Sequence, residues 1–297
     1  MKEKRCASSY ILITPAKNEE RFLPFVATSV VKQSILPKLW LIIDDGSDDG
    51  TPSIINDLRK RYSWIETVRL PPHPRDITYH YSYVCHTGFQ RIIELCNERL
   101  IEFNYLGLLD ADTELENEFF EKLILEFKKN KNLGIASGKI ITQSDKNFQN
   151  EPTNYWPRGT GRLWSWECFQ KTSGYVIEPS PDSISNIKAI LRGYDIKQFN
   201  NMIAIQKRET SSAEGHWHGY QMRGKVAYYF HKNPLLIISL FCYYTFKDPY
   251  YIGLAFLAGY LKALIRRDKQ IHDEEIRNYY WNSRLKEALR IFRKKPT

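Results

Sequence analysis

The stretch YLGLLDADTELE, residues 105–116, drives an apolar run straight into two aspartates, Asp110 and Asp112, with one alanine between them. A second stretch, LWLIIDDGSDDGT (39–51), ends the same way, in Asp44 and Asp45 followed by Gly46. Short apolar runs of this kind, closed by turn residues, read as strands covered on both faces. Outward from them the pattern alternates. SSYILIT, stopped by Pro15, reads as a first strand, FLPFVATSVVKQS as a helix, and Thr51-Pro52 as the N-cap and first helical position of a helix through SIINDLRKRY. WIETVRL gives a third strand, SYVCHTGFQRIIELCNERL a helix, ENEFFEKLILEFKKN an amphipathic helix, and LGIASGKII a fifth strand. Strand–helix alternation through residue 141 predicts an α/β protein with a mostly parallel sheet flanked by helices. Ligands bind such sheets at the carboxyl ends of the strands, so both acidic clusters are expected on the rim of a cleft.

From 142 to 220 the pattern loosens. Gly, Pro and Trp crowd NYWPRGTGRLWSWECF; a helix is expected in SPDSISNIKAILRGYDI and a strand in IKQFNNMIAIQ. Residues 221–297 read as a helical extension, which divides the chain into an α/β domain over 1–220 and a helical region over 221–297. The extension holds two apolar runs, PLLIISLFCYYTF and YYIGLAFLAGYLKALI. Neither reaches the roughly 18 unbroken apolar residues of a membrane span. The hairpin they form, 234–267, either lies on a membrane surface or packs on the domain.

A hydrophobic content of 42% argues against disorder. The net charge of +9, concentrated toward the C-terminus, is open to nucleic acid, anionic lipid or a phosphorylated substrate. Zinc-finger spacing and the aromatic ribonucleoprotein signature are absent, so nucleic acid is not the expected partner. Five cysteines without a C-x-x-C pair argue against a disulfide framework or structural zinc, and with the short apolar run after the first residues they point to a reducing, cytoplasmic setting.

Alternate residues of a strand share a face, so Asp110 and Asp112 direct two hard oxygen ligands the same way, a set suited to Mg²⁺ or Mn²⁺ shared with substrate phosphates. In order and spacing, TPAKNEE (14–20), IIDDGSDDGT (42–51) and LDADTELE (109–116) resemble the nucleotide-sugar domain of the family 2 glycosyltransferases, with the GT-A fold, over roughly residues 8–220. The resemblance implies that Pro15, Ala16 and Glu19 border the nucleoside and Asp45 recognises the base. It implies that Asp110 contacts the ribose or shares the metal shell, and that Asp112 holds the metal that bridges the phosphates. Asp44 reads as a turn-former. Where the family usually has Arg-Asn before a glycine, this chain has Cys85-His86 ahead of Gly88.

Members with an inverting mechanism place a general base in an acidic pair that opens a helix ending in R…G-Y/F. Asp182 falls at that position, behind Pro181 in place of the usual acid, and the rival reading makes it a helix cap. Trp164 and Trp166, in the segment similar to the family's acceptor side, either stack on a sugar or pack helix against sheet. In EGHWHGYQMRG (214–224), His216 or His218 is expected to complete the metal shell, two histidines at i, i+2 sharing one face of an extended loop, and Arg223 to meet the diphosphate or a lipid phosphate. The processive-synthase signature Q-x-x-R-W is absent, so single transfer is expected. The expected activity is therefore metal-dependent, inverting sugar transfer from a nucleotide-diphosphate donor to a saccharide or lipid-linked acceptor, with peripheral contact at the inner face of the cell membrane. The alternatives are a nucleotidyltransferase and a non-catalytic basic protein that binds nucleic acid or a membrane surface.

Overall fold

A computed structural model describes residues 9–73, 79–142, 156–208, 215–246 and 248–284. The basic C-terminal stretch RIFRKKPT and the middle of the proline-rich loop (71–80) lie outside the described residues. The chain divides into two compact units, Met1–Arg208 and Glu209–Thr297. One helix, Gly215–Tyr229, runs unbroken through residue 220, where the sequence placed a boundary.

The first unit is built on an eight-stranded sheet. Its strands are β1 (Tyr10–Ala16), β2 (Leu39–Asp44), β3 (Ile65–Arg69), β4 (Tyr105–Leu108), β5 (Thr113–Leu115), β6 (Leu133–Thr142), β7 (Arg162–Ser165) and β8 (Asp195–Gln206), in the order β3-β2-β1-β4-β7-β6-β8-β5. β3, β2, β1 and β4 are mutually parallel, and β8 is parallel to β6. β7 runs antiparallel to both its neighbours, as β5 does to β8. The sheet is thus mostly parallel, as expected, with β7 inserted in its middle by a Gly- and Trp-rich segment that carries no strand-like alternation.

Every residue of β1 and β2 is buried, which explains their unbroken apolar runs. One face, with Tyr10, Leu12, Trp40 and Ile42, packs on helices α1 (Leu23–Val31), α2 (Thr51–Arg61) and α4 (Phe119–Lys129). The other, with Ile11, Ile13, Leu41 and Ile43, packs on α3 (His80–Glu98) and α5 (Trp166–Lys171). Thr51 is not the cap expected of it: α2 is preceded by Gly50, and the Thr51 hydroxyl accepts the backbone N–H of Glu19 at 2.7 Å. A helix α6 (Pro181–Leu191) precedes β8.

The second unit is helical: α7 (Gly215–Tyr229), α8 (Pro234–Thr245), α9 (Ile252–Arg266), and α10 (Glu274–Asn278) continuing into a π-turn over Tyr279–Ser283. No helix among the described residues is long and apolar enough to cross a membrane. α7 and α9 pack backbone to backbone. A Cβ on Gly259 would stand 2.0 Å from the Gln221 carbonyl oxygen, and one on Gly224 would stand 2.0 Å from that of Phe256. Neither neighbour is a movable side chain, so Gly259→Ala forces the helices apart at a cost of about 1–3 kcal/mol. Thermal unfolding of that variant is expected several degrees below the parent; an unchanged midpoint would refute this packing.

Candidate active site

The carboxyl ends of β2, β1 and β4 lie side by side, and the strand order reverses about β1, the position where parallel sheets open a ligand crevice. Three acidic loops meet there. The turn after β2 needs Gly46, whose φ of +63° is paired with a backbone approach that leaves a Cβ only 2.5 Å from Pro72 Cα. Asp44 Oδ1 accepts the Ser47 N–H at 2.9 Å and Oδ2 sits 3.4 Å from Arg69 Nε, so this residue shapes the turn, as its sequence reading favoured.

Asp45 is held to the end of β1 by its N–H, which donates to Ala16 O at 2.8 Å. Its Oδ1 lies 2.7 Å from His80 Nε2 and its Oδ2 lies 3.5 Å from Lys17 Nζ, which also donates to the Asp45 carbonyl at 2.7 Å. The His80 ring in turn stacks on His73, with centroids 3.9 Å apart. Pro15 and Ala16, the last buried residues of β1, pair with Ile43 and Asp44. Glu19 is committed elsewhere: Arg208 Nη2 lies 2.9 and 2.8 Å from its two carboxylate oxygens.

The second cluster is crowded with negative charge. The Asp110 N–H donates to Thr160 Oγ at 2.8 Å, and Tyr81 OH donates to Asp110 Oδ1 at 2.6 Å. The Asp110 carboxyl is pushed from its ordinary 3.8 up to about 7, first by burial and then by the charge of Asp112, with Asp182 adding to the rise. Asp112 is buried and also raised, chiefly by desolvation, with the Arg208 charge and a Gln206 hydrogen bond pulling the other way. Lys207 N–H donates to the Asp112 carbonyl at 2.8 Å and so brings the end of β8 to this rim.

This charge has a consequence for stability. Between pH 3.8 and about 7 the folded protein holds the Asp110 proton more tightly than the unfolded chain does, so metal-free protein loses stability as pH rises through that window. Melts in chelator should show the midpoint falling with pH, and Asp110→Asn should flatten the profile. An equally steep profile in the variant would count against the assignment.

Asp182 occupies the first turn of α6 but does not cap it. The cap position is Ser180, in a left-handed conformation (φ 54°), and no side-chain cap bond forms. Gly159 lies opposite the Asp182 side chain, with its would-be Cβ 3.9 Å from Asp182 Oδ2. The charge of Asp182 acts on Asp110, on Tyr175 and on Arg162, for which it is the largest favourable interaction. Arg162 is fully buried. Its guanidinium lies 4.2 Å over the Trp164 ring, and Nη2 donates to Asn186 Oδ1 at 2.8 Å. Asn186 in turn donates to Pro157 O at 3.1 Å, which ties α6 to the loop before β7. Burial lowers the proton affinity of Arg162.

Several expected site residues differ from their sequence reading. Trp164 takes the packing alternative: it is fully buried, with the Phe89 ring edge-on at 5.5 Å. Trp166 is at the wrong end of the sheet. Because β7 is antiparallel to β4, Arg162 pairs with Leu108 at the aspartate end while Trp166 N–H donates to Asn104 O at the other, its ring packed on Phe103 and Phe169. His216 and His218 are exposed, but on helix α7 rather than on an extended loop. Residues two apart on a helix point about 200° from each other, so the two rings cannot join in one metal shell. Arg223, also on α7, stacks over the Tyr220 ring at 4.4 Å and bonds Tyr244 within the second unit. Lys17, His80, Tyr81, Thr160, Arg162 and Arg208 belong to the site and were not singled out from the sequence.

Acidic rims on adjacent parallel strand ends and an Asp-x-Asp at the switch point accompany the sheet of a GT-A fold. Residues 11–196 match the family described as Glycosyl transferase family 2. The chain belongs to that family. Among solved structures, S. aureus TarS is similar at a TM-score of 0.54 and 14% identity over 81% of this chain and 44% of that one. This chain therefore spans less than half the length of that TarS chain. TarS 1-349 in complex with UDP-GlcNAc matches at 0.52 and 12% identity, covering 95% of this chain and 76% of that one. The mannosyltransferase PcManGT from Pyrobaculum calidifontis, in complex with GDP-Man and Mn²⁺, matches at 0.52 and 13% identity over 97% and 81%. At these identities the structural likeness establishes the fold.

Proposed function

We propose that this protein transfers a sugar, with inversion, from a nucleoside-diphosphate donor to a saccharide or lipid-linked acceptor in cell-surface polysaccharide or glycolipid assembly. The observation that carries the reading is that Asp110 and Asp112, both raised by desolvation at the carboxyl end of β4, stand close enough to Asp182 on α6 for its charge to bear on Asp110. The donor complexes of TarS 1-349 and of the P. calidifontis mannosyltransferase support it by analogy.

Asp45, with Lys17 and His80, borders the nucleoside and offers a carboxylate to the base; Pro15, Ala16 and the Glu19 loop close its other side. Asp110 faces the ribose or the sugar phosphate. Asp182 accepts the proton of the acceptor hydroxyl. The acceptor oxygen bonds to the anomeric carbon as the bond from that carbon to the diphosphate oxygen breaks, and the nucleoside diphosphate leaves with the electron pair. Arg162 and Asn186 hold α6, and with it Asp182, against the loop before β7.

A divalent ion fits the donor set. Two carboxylates that are costly to ionise side by side gain from a cation, and Mg²⁺ or Mn²⁺ is commonly held by one or two carboxylates plus substrate phosphates. Bound by Asp112 and Asp110, the ion would offset the charge of the leaving diphosphate.

We assign donor chemistry to the α/β unit and a peripheral position at the cytoplasmic face of a membrane to the helical one. Calorimetric titration with a panel of nucleoside diphosphates and their sugars, with and without Mn²⁺, tests the reading. Metal-dependent binding of one nucleotide is expected. A folded protein that binds none would favour the non-catalytic alternative.

A further inference from the structure

The second unit exposes an unusual amount of apolar surface. α8 buries Leu236 and Ile237 against its own unit, yet its opposite side presents Leu235, Ile238, Tyr243 and, just beyond its end, Phe246, which is 84% exposed. α9 buries Ile252, Ala255, Phe256 and Gly259, and its other side presents Leu254, Leu261, Leu264 and Ile265, the last 80% exposed. At about 100° per residue each set falls on one side of its helix, opposite the buried residues. Tyr250 and Tyr251, in the turn joining the two helices, are exposed as well. An ordinary surface helix is apolar on one face only; these two, packed on each other, are apolar on both.

The charges around the stripe identify the occupant. Among the described residues between 234 and 267 the basic ones are Lys262, Arg266 and Arg267, against a single acid, Asp248. A second copy seated on this face would bring two rims of the same sign together. A layer of anionic headgroups would pair with them while the apolar stripe enters the acyl boundary, and tyrosines suit the level between. Spanning is ruled out for these helices by their length and hydropathy. We propose that the α8–α9 hairpin is a docking surface for an anionic lipid bilayer, inserting Phe246, Leu254 and Ile265 in the plane of the interface. The proposal deepens the peripheral position assigned to this unit and does not depend on the identity of the donor.

Co-sedimentation with vesicles decides it, using phosphatidylcholine alone and phosphatidylcholine mixed equally with phosphatidylglycerol. The full chain is expected to bind the mixed vesicles, less tightly as salt rises. The triple variant Phe246→Ser, Leu254→Ser, Ile265→Ser should bind at least about tenfold more weakly, whereas Leu100→Ser, an exposed leucine of the other unit, should not change binding. The three positions are exposed, and a circular-dichroism melt checks that the variant folds. Absence of binding to either vesicle overturns the proposal. So does a dimer in light scattering that the triple variant dissociates while vesicle binding is unaffected, because the stripe would then face a second copy. Nucleotide titration in parallel separates the two readings: vesicle binding without nucleotide binding leaves this surface standing and removes the transferase assignment, and the reverse result removes only the surface.

Discussion

Asp112→Asn is expected to abolish metal-dependent nucleotide binding and to lower sugar transfer by about three powers of ten. The substitution keeps the shape of the side chain, so the Thr113 hydroxyl at 3.2 Å and the backbone bond from Lys207 still have their acceptors. What it removes is half of the negative charge that the pocket offers a cation. Stabilising the leaving diphosphate through a metal is worth several kcal/mol, and each 1.36 kcal/mol or so is a factor of ten in rate. The variant should fold at least as well as the parent in chelator, because the Asp112 charge is one of the causes that raise the Asp110 proton affinity. Titration with the preferred nucleotide plus Mn²⁺, together with a melt in chelator, checks both halves. Undiminished metal-dependent binding would remove Asp112 from the donor site. Loss of the fold would instead make its role structural.

Asp182→Asn is expected to separate chemistry from binding. General-base catalysis typically contributes about 10²–10⁴-fold, so the transfer rate should fall within that range while nucleotide affinity stays within a few fold. The side chain forms no cap bond on α6, so its loss costs the helix little beyond the favourable interaction of a carboxylate with the helix amino end. It does remove the principal anion acting on buried Arg162, a cation whose Nε and Nη1 have no hydrogen-bond partner. A modest loss of thermal stability is therefore expected alongside the kinetic one. If transfer in the variant runs at the parent rate, the base lies elsewhere. If nucleotide binding falls with the rate, Asp182 belongs to the donor side.

The acidic strand ends were legible because a strand buried on both faces admits no charge until it leaves the sheet. Asp45, Asp110 and Asp112 therefore stand out against their own apolar runs. Their partners were not legible. Tyr81 and Thr160, which hold Asp110, lie 29 and 50 residues from it, on a helix and a loop that only the folded sheet brings to the rim. The backbone at His216 and His218 was not legible for a different reason: whether residues two apart share a face depends on whether the backbone is extended or helical, and a polar, aromatic-rich stretch leaves both open.

Trp164 and Trp166 show the limit most clearly. Trp164 sits in, and Trp166 just after, a strand whose side-chain pattern gives no direction, and their distance from the aspartates depends on whether β7 runs with β4 or against it. It runs against it, so Arg162 is carried to the catalytic rim and Trp166 away from it.

Local patterning in this chain determined the alternation of strands and helices, the family and the position of the acidic ends, because each follows from the burial of a few consecutive residues. The tertiary structure decided which distant groups complete the site, which tryptophans are core, and that α8 and α9 leave a second apolar face uncovered. Those depend on strand direction and helix packing, which no short window of sequence contains.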